Sequence, residues 1–132
     1  MIIVLDASAA LEVVLRREKA SKLADILCGA DWVIAPTLFV SEVSNAIWKY
    51  YKLANISFEV CEKWLDQAVA LPDELFNEVD LYKEAFMLSC KMNHPVYDMM
   101  YLVLAKRNNA ILLSLDQKLL QLARKLFVRT LK

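Results

Sequence analysis

The 132-residue chain has no surplus of charge: 16 Lys and Arg stand against 16 Asp and Glu, with a single His. A domain that coats itself in nucleic acid or anionic lipid through bulk charge is visibly basic, and an acidic solubilising tail leaves excess carboxylates. Neither class fits. One Gly and three Pro in a chain that is 58% apolar exclude a disordered or linker-like polypeptide. Cys28, Cys61 and Cys90 form no Cys-x-x-Cys pair and are odd in number. That argues against a secreted disulfide framework and for a reducing, cytoplasmic setting, with the thiols expected in the interior. The longest uninterrupted apolar run, Met99 to Ala105, is far short of the ~18 residues of a membrane span. No basic segment precedes the first apolar stretch, so no signal peptide is expected.

What the chain does have is alternation of short apolar runs with helix-period segments, without repeats, which reads as one continuous domain over residues 1–132. Met1 to Leu5 is apolar and β-branched and stops at Asp6; Ser8 then opens a helix over Ala9 to Arg16. Lys19 to Cys28 has helical spacing, with Gly29 placed as its C-terminal cap. Trp32 to Ala35 reads as a buried strand, Pro36 as the first residue of a helix reaching Lys52, and Ser57 as the N-cap of a helix through Ala70. Glu74 to Val79 suits a short strand and Asp80 to Met92 a helix. Met99 to Ala105 is apolar all round, which marks a helix buried on most faces. Ile111 to Leu115 is a strand, Asp116 opens the helix Gln117 to Leu126, and Phe127 to Thr130 suits an edge strand. Strands separated by helices imply a parallel α/β sheet with right-handed crossovers.

In such sheets the ligand sits beyond the carboxyl ends of the strands, where Asp6 and Asp116 both fall. Taken singly, Asp6, Asp98 and Asp116 stand at or near expected helix starts, where a carboxylate caps free N–H groups. Glu42 differs. The apolar stripe of its helix is Phe39, Val43, Ala46, Ile47 and Tyr50, which puts Glu42 on the rim beside Asn45. Solvated flank and functional acid both remain open for it.

The joint pattern is more specific. An apolar strand followed by Asp6-Ala7-Ser8, Pro36 and a helix carrying Glu42-Val43-Ser44-Asn45, then Val96-Tyr97-Asp98 with Tyr101, Leu102 and Ala105, then Leu113-Ser114-Leu115-Asp116 with Lys118 and Leu119, resembles the PIN-domain nucleases over essentially the whole chain. Within that family it is most similar to the VapC-type toxins of toxin/antitoxin modules. The resemblance implies a three-layer α/β/α fold around a mainly parallel sheet of four or five strands. It implies Asp6, Glu42, Asp98 and Asp116 as catalytic and metal-binding acids, supported by Ser8 and Asn45. It further implies Mg²⁺ or Mn²⁺ as cofactor, RNA as substrate with 5′-phosphate and 3′-hydroxyl products, a homodimer, and a cognate antitoxin as partner. The alternatives are a PIN nuclease in RNA processing and a catalytically silent PIN module.

Elementary chemistry agrees with an all-oxygen site. Hard divalent cations take oxygen ligands, and Mg²⁺ keeps several waters beside one or two carboxylates. Carboxylates about 5 Å apart at an effective dielectric of about 20 repel by roughly 3 kcal/mol per pair, so a cation should stabilise the fold. An α/β receiver or a haloacid-dehalogenase-type phosphatase also places Asp after strands. The former needs its acceptor Asp after a middle strand, which here ends at Ala35-Pro36; the latter needs Asp-x-Asp, and position 8 is Ser.

His94, in the turn Asn93-His94-Pro95, reads as structural rather than as a general base, and Met87, Met92, Met99 and Met100 as core filler. Trp48, Tyr50, Tyr51 and Trp64 fall on several helix faces and leave both a buried core and a protein interface open. Lys106 to Lys132 holds seven basic residues and one acid, whereas Leu53 to Asp80 holds seven acids and one base. From the basic segment, Lys106, Arg107, Lys118, Arg124, Lys125 and Arg129 are candidates for a phosphate-binding margin, with Lys118, Arg107 and Arg124 foremost; a solvated helix face is the alternative.

Overall fold

The computed structural model describes residues 1–131; Lys132, which ends the basic segment, lies outside the described residues. Its core is a five-stranded, all-parallel sheet in the order β3-β2-β1-β4-β5. The strands are β1 (Ile2–Leu5), β2 (Trp32–Pro36), β3 (Glu74–Phe76), β4 (Ile111–Leu113) and β5 (Arg129–Thr130). β1 is the middle strand, and Ile3, Val4 and Leu5 are fully buried, because a central parallel strand has helices on both faces and needs apolar side chains on each. Its register aligns Ile3 with Val33 on one side and with Ile111 on the other.

Helices α1 (Ala7–Val14) and α2 (Ala20–Gly29) connect β1 to β2, and α3 (Leu38–Leu53) and α4 (Phe58–Val69) connect β2 to β3. A 3₁₀ turn (Glu78–Asp80), α5 (Tyr82–Met92) and α6 (Val96–Asn108) lead across to β4, and α7 (Gln117–Lys125) leads to β5. Right-handed crossovers put α1 to α4 on one face and α5 to α7 on the other. Packing agrees, with α1 against α2, α3 and α4, and α6 against α5. The expected three-layer α/β/α fold is present, with five strands. α6 lies against β1, β2 and β4 and buries every residue from Met99 to Ala105, so its sequence has no polar stripe to spare.

Several boundaries differ from the sequence reading, each for a physical reason. Asp6, not Ser8, is the N-cap of α1, accepting the Ala9 N–H. Pro36 ends β2 rather than starting α3: it pairs with Phe76, while the β1 ladder has already ended at Ile34, so its missing N–H leaves no central ladder bond unmade. Gly29 is the last residue of α2 and not a left-handed cap. With one glycine in the chain, left-handed turns fall to Arg16, Asn55, Asn93, Asn109 and Phe127, and Asn is the side chain that best tolerates that geometry. Cys28 and Cys90 are exposed, and only Cys61 is buried. Met99 and Met100 are core, but Met87 is exposed on α5. No helix among the described residues is long and apolar enough to cross a membrane.

Candidate active site

The strand order reverses between β1 and β4: from β1 the chain winds outward to β2 and β3, then returns to the other side. The carboxyl ends of two strands whose connections diverge leave a crevice between them, the switch point where open α/β sheets hold ligands. A cavity of about 320 Å³ opens there, and Asp6, Ser8, Glu42, Asn45, Lys49, Asp98, Tyr101 and Asp116 are among its lining residues. All four acids singled out in the sequence, with Ser8 and Asn45, therefore meet at one place.

Each acid is positioned by its own element. Asp6 follows β1, and its backbone N–H donates to the Leu113 carbonyl at the end of β4. Asp6 is 5% exposed. Oδ1 accepts from Ser8 Oγ at 2.7 Å and from the Ala9 N–H at 3.0 Å, while Oδ2 accepts from Ser114 Oγ at 2.6 Å. Ser8 Oγ also accepts the Leu115 N–H, and Ser114 Oγ the Asp116 N–H. The two hydroxyls thus stitch the end of β1 to the end of β4. Burial raises the Asp6 carboxyl above its ordinary range; the Ser114, Ala9 and Ser8 bonds oppose that, and the Asp116 charge adds to it.

Glu42 projects from α3, whose start is tied to the 3₁₀ turn: Thr37 Oγ1 donates to Glu78 Oε2 and accepts the Glu78 N–H. The half-buried Glu42 carboxylate accepts a 2.5 Å bond from the Tyr101 hydroxyl of α6. Desolvation raises the Glu42 carboxyl, the Tyr101 bond lowers it, and the charges of Asp6, Asp98 and Asp116 raise it again. Burial, followed by the neighbouring Glu42 charge, pushes the Tyr101 phenol far up, so it stays a protonated donor.

Asp98 sits in the first turn of α6 but does not cap it; the N-cap is Pro95. Its Oδ2 lies 2.7 Å from His94 Nε2. Asp116 is the N-cap of α7, accepting the Lys118 and Leu119 N–H groups, and is the exposed member at the rim. Capping and cavity lining coexist at Asp6 and Asp116, because a helix N-terminus at the carboxyl edge of the sheet is both a demand for a carboxylate and the wall of the crevice.

The basic margin is only partly where the sequence suggested. Lys118 lies in the same turn as Asp116, but Arg107 and Arg124 end α6 and α7, at the opposite edge of the sheet, because each helix runs back to the start of the next strand. Arg107 is bound to Glu84 and to the Asp80 carbonyl, and Arg129 to Asn109. The cation lining the cavity is instead Lys49. Lys49 is not singled out in the sequence, Tyr101 and Ser114 stand in the motif without a role, and His94 reads as structural. A Tyr inside an otherwise apolar buried helix and a Ser at the end of a buried strand were the legible signals for two of them, since buried polar groups need partners.

Among the described residues, no group of three or more His, Cys, Asp or Glu side chains is arranged to hold a metal ion. The carboxylates turn instead to hydroxyl, imidazole and amide donors. The donor set still fits a hard cation in kind: it is all oxygen, it lines one cavity, and neighbouring acid charges add to the raised proton affinity of Asp6 and Glu42. Mg²⁺ takes only one or two carboxylates directly.

A doubly wound parallel sheet with carboxylates gathered at its switch point defines an acid-centred α/β domain. The PIN domain family model matches residues 3–125, and the chain belongs to that family. It is 28% identical to Ribonuclease VapC3 of Pyrobaculum aerophilum over 123 residues, covering 90% of this chain and 92% of that protein. Among solved structures it resembles PAE2754 from the same organism, with a TM-score of 0.73 and 17% identity over 92% of this chain and 78% of that one. It also resembles the sarcin-ricin loop cleaving toxin VapC20 of Mycobacterium tuberculosis, at TM-score 0.64 and 11% identity over 91% and 94% of the two chains. VapBC2 from Rickettsia felis, solved with a promoter DNA fragment, gives TM-score 0.68 and 14% identity with full coverage of both chains.

Proposed function

We propose that the protein is a Mg²⁺- or Mn²⁺-dependent endoribonuclease acting in the cytoplasm as the toxin of a toxin/antitoxin pair. The observation that carries this reading is the convergence of Asp6, Glu42, Asp98 and Asp116 on one cavity of a chain with no net charge. Membership of the PIN family, a relative named as a ribonuclease and a fold shared with a toxin that cleaves the sarcin-ricin loop support it. The fold shared with VapBC2 supports an antitoxin partner, and a homodimer belongs to the same reading.

Asp6, Glu42 and Asp98 would surround the cation, one or two of them directly and the rest through its waters, with Asp116 at the rim. When bound, a divalent ion supplies Lewis-acid charge beside the phosphate and makes a water more acidic. The chain's own residues do the rest. Asp6 is held rigid by Ser8, Ser114 and the α1 N-terminus, and Glu42 by Tyr101. Such fixed charge needs no reorganisation during reaction. Lys49 on one wall, with Lys118 in the turn capped by Asp116, offers positive charge to the phosphates of the RNA, and Asn45 adds a neutral hydrogen-bonding group.

The test is cleavage of a structured RNA by purified protein with and without Mg²⁺ or Mn²⁺, beside Asp98→Asn. We expect metal-dependent cutting and a loss of at least about 100-fold in the variant, the scale of an electrostatic catalytic group. Full activity in Asp98→Asn would refute the assignment. Induced expression compared with Asp6→Asn tests the toxin role, and equal growth of the two strains removes it.

A further inference from the structure

His94 is the one histidine of the chain, and it stands against the acid that is otherwise least supported. Asp6 is held by two hydroxyls and an amide, Glu42 by a phenol, and Asp116 by two amides. The donor on Asp98 is the His94 ring, with Nε2 2.7 Å from Oδ2 and both side chains largely shielded from solvent. A carboxylate oxygen only accepts, so Nε2 carries the proton.

The local sequence builds this contact. Asn93 ends α5 in the left-handed conformation, and the His94 N–H donates back to the Ser89 carbonyl, fixing the backbone ahead of the ring. Pro95, extended, is the N-cap of α6, so Asp98 is the third residue of the helix. An acid at that position ordinarily reaches back to the N–H of the N-cap residue, the reciprocal half of a capping box. Proline has no N–H. The bond that would turn Asp98 toward its own helix is therefore absent, and His94 supplies the donor from one residue earlier.

We propose that His94 is a positioning residue for Asp98: it fixes one carboxylate oxygen so that the other is presented to a cation in the acidic cavity. This rests on the reading of that cavity as a divalent-cation site. A ligand carboxylate held by an outer hydrogen bond loses about 10- to 100-fold in metal affinity when the outer partner is removed.

The experiment is Mn²⁺ titration of the purified, metal-stripped full-length protein by calorimetry and by the electron paramagnetic resonance signal of free Mn²⁺. Wild type, His94→Ala, His94→Gln and His94→Asn are compared, each with its metal-free melting temperature. We expect His94→Ala and His94→Asn to bind Mn²⁺ about 10- to 100-fold more weakly. His94→Gln, whose amide NH₂ reaches as far as Nε2, should recover most of the affinity. A purely structural histidine would instead lower all three melting temperatures and leave affinity alone. Should His94→Ala fail to fold, the Gln and Asn pair carries the comparison. Equal Mn²⁺ affinity in wild type, Gln and Asn variants overturns this inference and leaves the cation site standing. No Mn²⁺ binding by the wild type overturns both.

Discussion

The Tyr101 hydroxyl donates a 2.5 Å hydrogen bond to Oε1 of Glu42, joining α6 to α3 across the carboxyl edge of the sheet from opposite helical layers. Tyr101 is 1% exposed, and Glu42 is the partner that makes a tyrosine tolerable in the otherwise apolar stretch Met99 to Ala105. Tyr101→Phe keeps the packing and removes the bond. A hydrogen bond to a charged group is worth about 1.5–3 kcal/mol, so urea unfolding should show a loss of about 1.5 kcal/mol. Because the Tyr101 bond opposes burial at Glu42, Mn²⁺ affinity in the variant should fall more steeply than in the wild type between pH 7 and pH 5.

Asp6 and Glu42 make the metal-free protein sensitive to pH in a definite direction. Both folded-state pKa values lie above their ordinary values of 3.8 and 4.5, so in that region the folded protein binds more protons than the unfolded chain. The stability this contributes is fully present below the ordinary values and is lost as pH rises through the raised ones. Metal-free wild type should therefore lose melting temperature from pH 5 to pH 7 relative to Asp6→Asn, which keeps a good N-cap without the buried charge. Mg²⁺ or Mn²⁺ should raise the wild-type melting temperature at pH 7 by mass action and raise that of Asp6→Asn less.

Ser114→Ala tests the stitch between β1 and β4. It leaves Oδ2 of a buried carboxylate and the Asp116 N–H without their partner, and an unsatisfied buried group costs about 1–3 kcal/mol. The Ser114 bond is the largest influence holding the Asp6 pKa down, so the variant should also show a stronger loss of stability between pH 5 and pH 7 than the wild type.

Lys49 and Arg107 should part company in kinetics. Lys49→Ala is expected to raise KM for RNA several-fold with a smaller change in kcat, and to reduce the slope of log affinity against log salt by about 1, as for the loss of one phosphate contact. Arg107→Ala, at the far edge and occupied with Glu84, should leave cleavage unchanged and cost under about 1 kcal/mol, as exposed ion pairs do.

The sequence made the fold legible where hydrophobic pattern and topology agree: the β-branched run of β1, the buried Met99 to Ala105 stretch of α6, and acids directly after strands. The four acids became a set through the family resemblance that their types and order carry, since each alone reads as a cap or a solvated flank. The sequence did not reveal the partners of Ser114 and His94, because both contacts are fixed by three-dimensional register. Ser114 meets an acid 108 residues away; His94 meets one only four positions on, but through a proline whose effect is to remove a competing donor. The basic margin misled for a related reason. Charge counted along a helix does not say which end of the helix a residue occupies, and Arg107 and Arg124 stand at the wrong ends.

β1 is the sheet's middle strand, and its second neighbour, β4, is made only after β2 and β3. A growing polypeptide that has emerged only as far as α6 already carries Asp6, Glu42 and Asp98, yet β1 still has one edge unpaired and Asp6 lacks Ser114. Pairings across so long a separation form late and slowly. The arrangement thus couples the assembly of the acidic centre to synthesis of β4 and Ser114, and chains broken off before Ser114 should be degraded or aggregate rather than act.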